Sequence, residues 1–137
     1  MTKLVVTPSE YVEIMNLYAA LNHASDEGEA DAYAACFTEN GELYGTHEVK
    51  GREALAAWKR KDKATRTQLY RRHWNGSIHL EKLDSTTIRG RAYLLAYNGE
   101  PGHVPHITHA GVYADTIKQV DGTWKFAVRR LSFDAKP

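Results

Sequence analysis

Apolar residues recur at helical spacing through the first part of the chain. Residues 7–10, Thr-Pro-Ser-Glu, match a capping box with proline at the first helical position, which marks a helix start. One apolar face follows and carries Tyr11, Ile14, Leu17, Tyr18 and Leu21. This spacing predicts a first helix that ends near Ala24, followed by a turn over residues 25–28. Similar patterns predict a second helix over residues 30–37 and a third over residues 52–61.

After Gln68 the pattern changes to alternating apolar and polar residues, which is typical of strands. Asn40-Gly41 and Asp121-Gly122 are both sequences that favour two-residue hairpin turns. Helices followed by an antiparallel meander predict an α+β fold, with helices packed on one face of a curved sheet. The predicted strands cover residues 43–44, 47–49, 68–80, 86–97, 107–120 and 123–133.

The composition is that of one globular domain over residues 1–137. The chain weighs 15.5 kDa, and its 42% hydrophobic fraction argues against disorder. A net charge of +1 gives no electrostatic reason to expect nucleic acid or a membrane as partner. Cys36 is the single cysteine, which excludes an intrachain disulfide scaffold. No apolar run is long enough for a signal peptide or a membrane span, so we expect a cytoplasmic protein.

Several stretches of the chain carry a family resemblance. They are residues 17–41, GREAL at 51–55, RHWN at 72–75, GVYAD at 111–115 and DGTWKFAVR at 121–129. In this order the chain resembles the SnoaL-like branch of the nuclear-transport-factor-2-like superfamily. The resemblance implies a cone-shaped α+β barrel, in which three N-terminal helices and a strongly curved, mostly antiparallel sheet enclose an apolar pocket.

Two residues of these stretches match a catalytic pair. Asp26 and His73 correspond to an aspartate and a histidine in scytalone dehydratase, bile-acid dehydratase and hexachlorocyclohexane dehydrochlorinase, which the chain resembles here. A neutral imidazole suits proton abstraction near pH 7, and a carboxylate on its other nitrogen fixes the tautomer. This chemistry needs no cofactor. The alternatives are a solvated turn residue for Asp26 and a hydrogen-bonded structural histidine for His73.

Two tyrosines are predicted to contact the substrate. Tyr18 lies two helical turns before Asp26 and therefore on the same face of the first helix. Tyr44 follows the second helix, near the position of tyrosines in the dehydratases that the chain resembles. Each tyrosine has the alternative of being a packed core aromatic.

Three further residues are predicted to bind substrate. Asn75 shares the strand parity of His73, so both side chains face the same side of a regular strand. His109 precedes the strand at 111–115, and Arg129 resembles an arginine common in this branch. Arg129 has the alternative of pairing with Asp115.

Other polar clusters are assigned no chemistry. His103, His106 and His109 are spaced by three, so on a strand their side chains alternate between faces and do not converge on a metal. The basic residues at 59–63 and 71–72 are interpreted as a solvated face. The residue count also places Asn98 where scytalone dehydratase has a second histidine.

The leading hypothesis is a cofactor-independent lyase of the dehydratase type, or an isomerase, acting on a small and largely apolar cyclic or polyketide-like molecule. The alternatives are a non-catalytic binding module or partner subunit of the same fold, and a polyketide cyclase. We also expect a homo-oligomer, dimer or trimer, because an exposed apolar sheet face favours a partner. Its predicted interface contains Tyr70, Trp74 and Ile78.

Overall fold

Three helices and six strands make up residues 4–136, the part of the chain that this computed structural model describes. The helices are α1 (Pro8–Glu27), α2 (Ala30–Ala35) and α3 (Arg52–Thr65). The strands are β1 (Phe37–Tyr44), β2 (Glu48–Lys50), β3 (Tyr70–Asp84), β4 (Thr87–Gly99), β5 (His106–Val120) and β6 (Thr123–Ala135). Within these residues, no helix combines the length and the apolarity needed to cross a membrane.

All six strands form one mixed sheet in the order β2-β1-β6-β5-β4-β3. Every neighbouring pair is antiparallel except β1 and β6, which run parallel. The predicted α+β class, with three helices on a curved and mostly antiparallel sheet, is confirmed. The sheet curls without closing, so β2 and β3 remain as its two edges.

The first helix begins as predicted and ends later. The Glu10 amide donates to the Thr7 hydroxyl at 3.1 Å, and the Glu10 carboxylate accepts from the Thr7 amide at 2.9 Å, which completes the capping box. The predicted end at Ala24 is wrong, because the helix continues to Glu27. Gly28 then takes a left-handed conformation with φ 69°, which ends the helix and suits glycine.

Arg66 holds the end of α1 against the end of α3. Its guanidinium donates to the carbonyl oxygens of Asp26 at 2.6 Å and Ser25 at 3.1 Å. These carbonyls belong to the last turn of α1, where intrahelical backbone donors run out. The Ser25 carbonyl also accepts from the Gly28 amide at 3.2 Å, so Arg66 adds to the helix's own cap. Residues 25–27 are therefore helical and not the predicted turn, and the position of Asp26 is fixed by a side chain from another element.

The two predicted hairpin turns have different outcomes. Asp121 and Gly122 join β5 and β6 with φ angles of 51° and 79°, so this hairpin is confirmed. The turn predicted at Asn40-Gly41 is wrong, because β1 runs through both residues. There the pairing of β1 with β6 shifts register, and a Cβ on Gly41 would lie 2.7 Å from the Cβ of Phe37. This glycine permits a close approach inside an irregular strand.

A bulge in β3 changes which side chains face inward. The pairing of β3 with β4 shifts register between Gly76 and His79, and Ser77 has φ 48°. Ile78 consequently packs against the core, whereas Trp74 stays 63% exposed. The prediction that Ile78 shares a face with Trp74 is therefore wrong.

Candidate active site

The last turn of α1 brings Asp26 to β3, the edge strand of the sheet. One carboxylate oxygen of Asp26 accepts a hydrogen bond from the backbone N–H of His73 at 3.1 Å. The other oxygen contacts the Nδ1 atom of the His73 ring at hydrogen-bonding distance. Both side chains are largely buried, with 9% of Asp26 and 20% of His73 exposed. Asp26 thus binds both the backbone and the ring of His73.

This contact determines which ring nitrogen of His73 is available. An ionised carboxylate can only accept hydrogen bonds, so the nitrogen facing Asp26 carries the proton. In the neutral ring, the lone pair is then on Nε2. His73 also lines the cavity described below. The pair therefore has the arrangement of a general base and the group that orients it.

Further polar bridges hold α1 along β3. Asn22 donates to the side-chain oxygen of Asn75 at 2.8 Å, and Lys82 donates to Glu10 at 2.8 Å. The amide nitrogen of Asn75 donates to the carbonyl of Tyr93 at 3.2 Å. Asn75 was predicted to bind substrate, but both ends of its amide are used by protein groups, and it lies outside the cavity lining.

A cavity of about 260 Å³ lies beside the pair. Its volume is near the lower end of small-molecule sites, which are roughly 300–1,000 Å³. Part of its wall is apolar and is made by Leu43, Leu94, Ala96, Leu131 and Phe133. Asn98, the residue in the place of a second histidine, also lines the cavity.

Two histidines face each other across one small residue. His73 pairs with Ala96 on β4, and Ala96 pairs with His109 on β5. Strands lie about 4.8 Å apart, so the two histidine backbones are about 10 Å apart, with only a methyl group between them. Burial, together with the positive charge of Arg71, lowers the pKa of His109. The structure thus places His109 in the cavity wall, near the position predicted for it.

The structure places Tyr18 and Arg129 in the core instead of the cavity wall. The Tyr18 hydroxyl donates to Asp115 at 2.6 Å, and the Arg129 Nε donates to the same carboxylate at 3.0 Å. The Arg129 guanidinium also lies 3.5 Å from the ring centre of Tyr113. The side chains of Tyr18, Asp115 and Arg129 are almost fully buried. The structure therefore shows the alternative that was open for Arg129, an ion pair with Asp115.

Tyr44 is directed away from the cavity as well. Its hydroxyl donates to Glu42 at 2.6 Å, and the guanidinium of Arg130 lies 4.1 Å from the ring centre. The tyrosines that do line the cavity are Tyr33 and Tyr113. Burial raises the pKa of both phenols, so both are neutral hydrogen-bond donors at pH 7.

One wall of the cavity is charged, which the sequence pattern did not predict. Lys59, Asp62 and Arg71 line it, although the basic residues here were predicted to form a solvated face. That prediction is wrong for Lys59, which is only 2% exposed. The sequence did contain a signal for an inward-facing Lys59. Leu55, Lys59 and Asp62 recur at helical spacing and therefore share one face of α3.

Lys59 is held by polar and aromatic neighbours. Its ammonium donates to the Ser25 hydroxyl at 3.0 Å and to Asp62 at 3.3 Å, and lies 4.6 Å from the ring centres of both Tyr33 and Trp58. Burial lowers its pKa from 10.5 to about 8, although the charge of Asp62 opposes the shift.

Asp62 is the negative group of this wall. Burial alone would raise its pKa, but the hydrogen bond from Arg66 and the positive charges of Lys59 and Arg71 outweigh burial and lower it. Asp62 is therefore ionised at neutral pH. Across residues 4–136, no three side chains of the His, Cys, Asp and Glu types are grouped as a metal ion would require.

The sequence profile of the SnoaL-like domain matches residues 7–130. The chain belongs to the SnoaL-like domain family. This family includes enzymes such as cyclases and dehydratases. Comparison with curated protein sequences gives no match.

Solved structures show the same SnoaL-like fold. Aln2 from a Streptomyces species is 24% identical with a TM-score of 0.86, over 96% of this chain and 95% of that chain. A candidate scytalone dehydratase from Novosphingobium aromaticivorans is 25% identical with a TM-score of 0.80, over 93% and 85%. A protein of unknown function with a cystatin-like fold from Nostoc punctiforme is 22% identical with a TM-score of 0.85, over 98% of both chains.

Proposed function

We propose that this SnoaL-like domain is a cofactor-independent lyase that eliminates water from a small cyclic ketone or polyketide-like molecule. The observation that carries the proposal is the Asp26–His73 pair at the wall of a partly apolar cavity. Isomerisation begins with the same proton abstraction and differs only in whether a leaving group departs. Elimination is favoured because the pairing of aspartate with histidine resembles that of the dehydratases.

The proposed reaction moves one proton and breaks one carbon–oxygen bond. Nε2 of His73 takes the proton from the carbon beside the carbonyl, and Asp26 stabilises the imidazolium that forms. The C–H electron pair becomes the new double bond as hydroxide leaves the neighbouring carbon. The imidazolium then returns its proton to the hydroxide, so that water is released and neutral His73 is restored.

A hydrogen-bond donor to the substrate carbonyl would lower the barrier to this step. Tyr44, which the sequence predicts to contact the substrate, donates its hydroxyl to Glu42 instead. Tyr33 and Tyr113 are better placed because both line the cavity. We assign the donor to Tyr113, whose β5 strand also carries His109.

The test uses β-hydroxytetralone, a bicyclic β-hydroxy ketone whose dehydration gives fluorescent α-naphthol. We expect the unaltered protein to accelerate this reaction and His73→Ala to reduce kcat by about 100-fold or more, since general base catalysis contributes roughly 10²–10⁴-fold. Asp26→Asn should also reduce kcat, because an amide no longer favours the reactive tautomer. His79→Ala is the matched control, since this histidine lies exposed on the same strand.

Two outcomes would contradict the lyase proposal. Equal turnover by His73→Ala and the unaltered protein would remove His73 from the mechanism. Tight binding of the ketone without formation of α-naphthol would favour the alternative of a binding module with the same fold.

A further inference from the structure

We propose that the natural substrate carries a carboxylate, and that Lys59 and Arg71 bind it while His73 faces the reacting carbon. The role of His73 in this statement rests on the proposed function. The anion site itself rests on different residues, contributed by α3 and β3.

Lys59 has binding capacity left over after its protein contacts. An ammonium has three N–H donors, and Ser25 and Asp62 accept two of them. The rings of Tyr33 and Trp58 cover the sides of the group and keep water away from it. Leaving a buried N–H donor without an acceptor is costly, so a ligand anion reached by the third donor of Lys59 would be strongly favoured.

This wall of the cavity has more positive than negative charge. Asp62 is in contact with three cations, at 3.3 Å from Lys59, 2.7 Å from Arg66 and 3.0 Å from Arg71. The other carboxylate nearby, Asp26, is used by His73. A ligand carboxylate would supply the negative charge that balances this wall.

The position of Arg71 sets the distance between the anion and the reacting carbon. Arg71 and His73 are two residues apart on β3 and both line the cavity. Alternate residues of a strand lie about 7 Å apart, which is near the span of a ring with substituents on opposite sides. The substrate class is therefore a flat, mainly apolar ketone with a carboxylate on the far side of its ring.

A pair of unreactive probes tests the anion site. β-Naphthoate and β-naphthamide share one ring system and differ in charge, and neither has a leaving hydroxyl. By calorimetry at pH 7, we expect the unaltered protein to bind the naphthoate at least about 10-fold more tightly, because a hydrogen bond to a charged group contributes more than one between neutral groups.

Variants of α3 then assign the preference to one side chain. Lys59→Met keeps most of the side-chain volume and should bring the two affinities to within about 3-fold, by weakening naphthoate binding alone. Lys61→Met removes the same charge from an exposed position of the same helix and should leave the preference intact. An unchanged preference in Lys59→Met, equal binding of both probes, or no binding of naphthoate at about 5 mM would each overturn the proposal.

A pH series on the unaltered protein provides a check that does not depend on how the variant folds. Asp62 on α3, Arg66 after it, Arg71 on β3 and Tyr33 on α2 are the ionisable groups facing Lys59. Naphthoate affinity should fall as the pH rises past about 8, where Lys59 loses its proton, whereas naphthamide affinity should stay constant. A parallel response of both probes would contradict a charged Lys59 site.

Different variants test the lyase proposal and the anion-site proposal, so either one can be refuted without the other. His73→Ala tests turnover and should leave the preference for naphthoate in place. Loss of turnover in His73→Ala without any effect of Lys59→Met on naphthoate binding would retain the lyase and refute the anion site. The reverse result would retain the anion site and refute the lyase.

Discussion

The ammonium of Lys59 lies against two adjacent aromatic rings, where little water reaches it. Burial lowers its pKa from 10.5 to about 8; Asp62 opposes this shift, and Arg71 and Arg66 add to it. Folding therefore disfavours the protonated form of this side chain. The free energy of unfolding must depend on pH through Lys59, because folded and unfolded chains bind its proton with different affinity.

The direction of this dependence follows from the bound protons. Between pH 8 and 10.5 the unfolded chain retains the Lys59 proton and the folded chain has released it, so this group adds stability as the pH rises. Across this pH range, Lys59 adds about 3 kcal/mol to the free energy of unfolding, and the Lys59→Met variant lacks this contribution. Urea unfolding of both proteins at about pH 7.5 and about pH 10 should show the unaltered protein gaining about 2–3 kcal/mol relative to the variant. Identical pH responses would contradict a lowered pKa.

Single residues differ in how far the sequence could reveal them. Asp26 and His73 could be predicted because the chain resembles dehydratases that have an aspartate and a histidine at these positions, and the structure brings the two side chains together. Tyr44 could not be excluded from the cavity, because its direction depends on contacts with Glu42 and Arg130. Lys59 could be predicted only in part, because its charge favours solvent whereas its spacing from Leu55 places it on the buried face of α3.

At the scale of elements, the site depends on how α1 ends. Gly28 ends the helix in a left-handed conformation, and Arg66 ties the carbonyls of the last turn to the end of α3. Asp26 lies within this turn. The angle and length of the helix end therefore determine whether Asp26 reaches β3.

Replacing Gly28 tests this dependence. In Gly28→Ala the residue would keep φ 69°, which costs an L-residue roughly 1–2 kcal/mol, and its Cβ would lie 2.5 Å from the Cδ of Lys63. We expect urea unfolding to show a loss of about 1–2 kcal/mol and a lower kcat on β-hydroxytetralone. Gly76→Ala is the control, since a Cβ there meets nothing within 4 Å. Equal stability of the two variants would show that the cap of α1 tolerates a side chain.

Elements could be predicted where local signals and tertiary contacts agree. The capping box at Thr7 and the hairpin at Asp121 are local features, and both are present. Asn40-Gly41 is an equally good local signal, but pairing of β1 with the distant β6 overrides it. The extension of α1 to Glu27 could not be predicted either, because Arg66 stabilises its last turn from outside the helix.

For the whole molecule, the outer face of the sheet remains exposed. Trp74 pairs with Leu95 across β3 and β4, and Tyr93 lies opposite Gly76. The three large side chains are 63%, 42% and 57% exposed for Trp74, Leu95 and Tyr93 respectively. Adjacent exposed apolar groups of this size favour association, so we keep the prediction of a homo-oligomer that uses this face.

Light scattering after gel filtration tests the oligomer. We expect a mass two or three times the 15.5 kDa of the chain and a shift to the single-chain mass in Trp74→Arg, which places a charge within the face. Val104→Arg is the control, because Val104 lies in the loop before β5 and is even more available to solvent. A mass of 15.5 kDa for the unaltered protein at tens of micromolar would contradict the prediction.

The sequence predicted the fold class better than the size and chemistry of the cavity. The order of helices and strands and the family resemblance both led to a curved sheet covered by three helices. The cavity wall combines Leu43 of β1, Lys59 of α3, His109 of β5 and Leu131 of β6, which are far apart along the chain. Such a combination depends on sheet curvature and helix packing, which no local pattern specifies.

The parallel contact between β1 and β6 implies an order of events during folding. Strands β3 to β6 pair with their neighbours in sequence, so each hairpin closes a short loop. β1 pairs with β6 later, because Phe37 lies opposite Phe126 and the chain between these two residues forms a long loop that closes slowly. Leu43 of β1 and Leu131 of β6 both belong to the cavity wall. The cavity is therefore among the last parts to assemble. A destabilising substitution would disrupt the cavity before it disrupts the antiparallel strands β3 to β6.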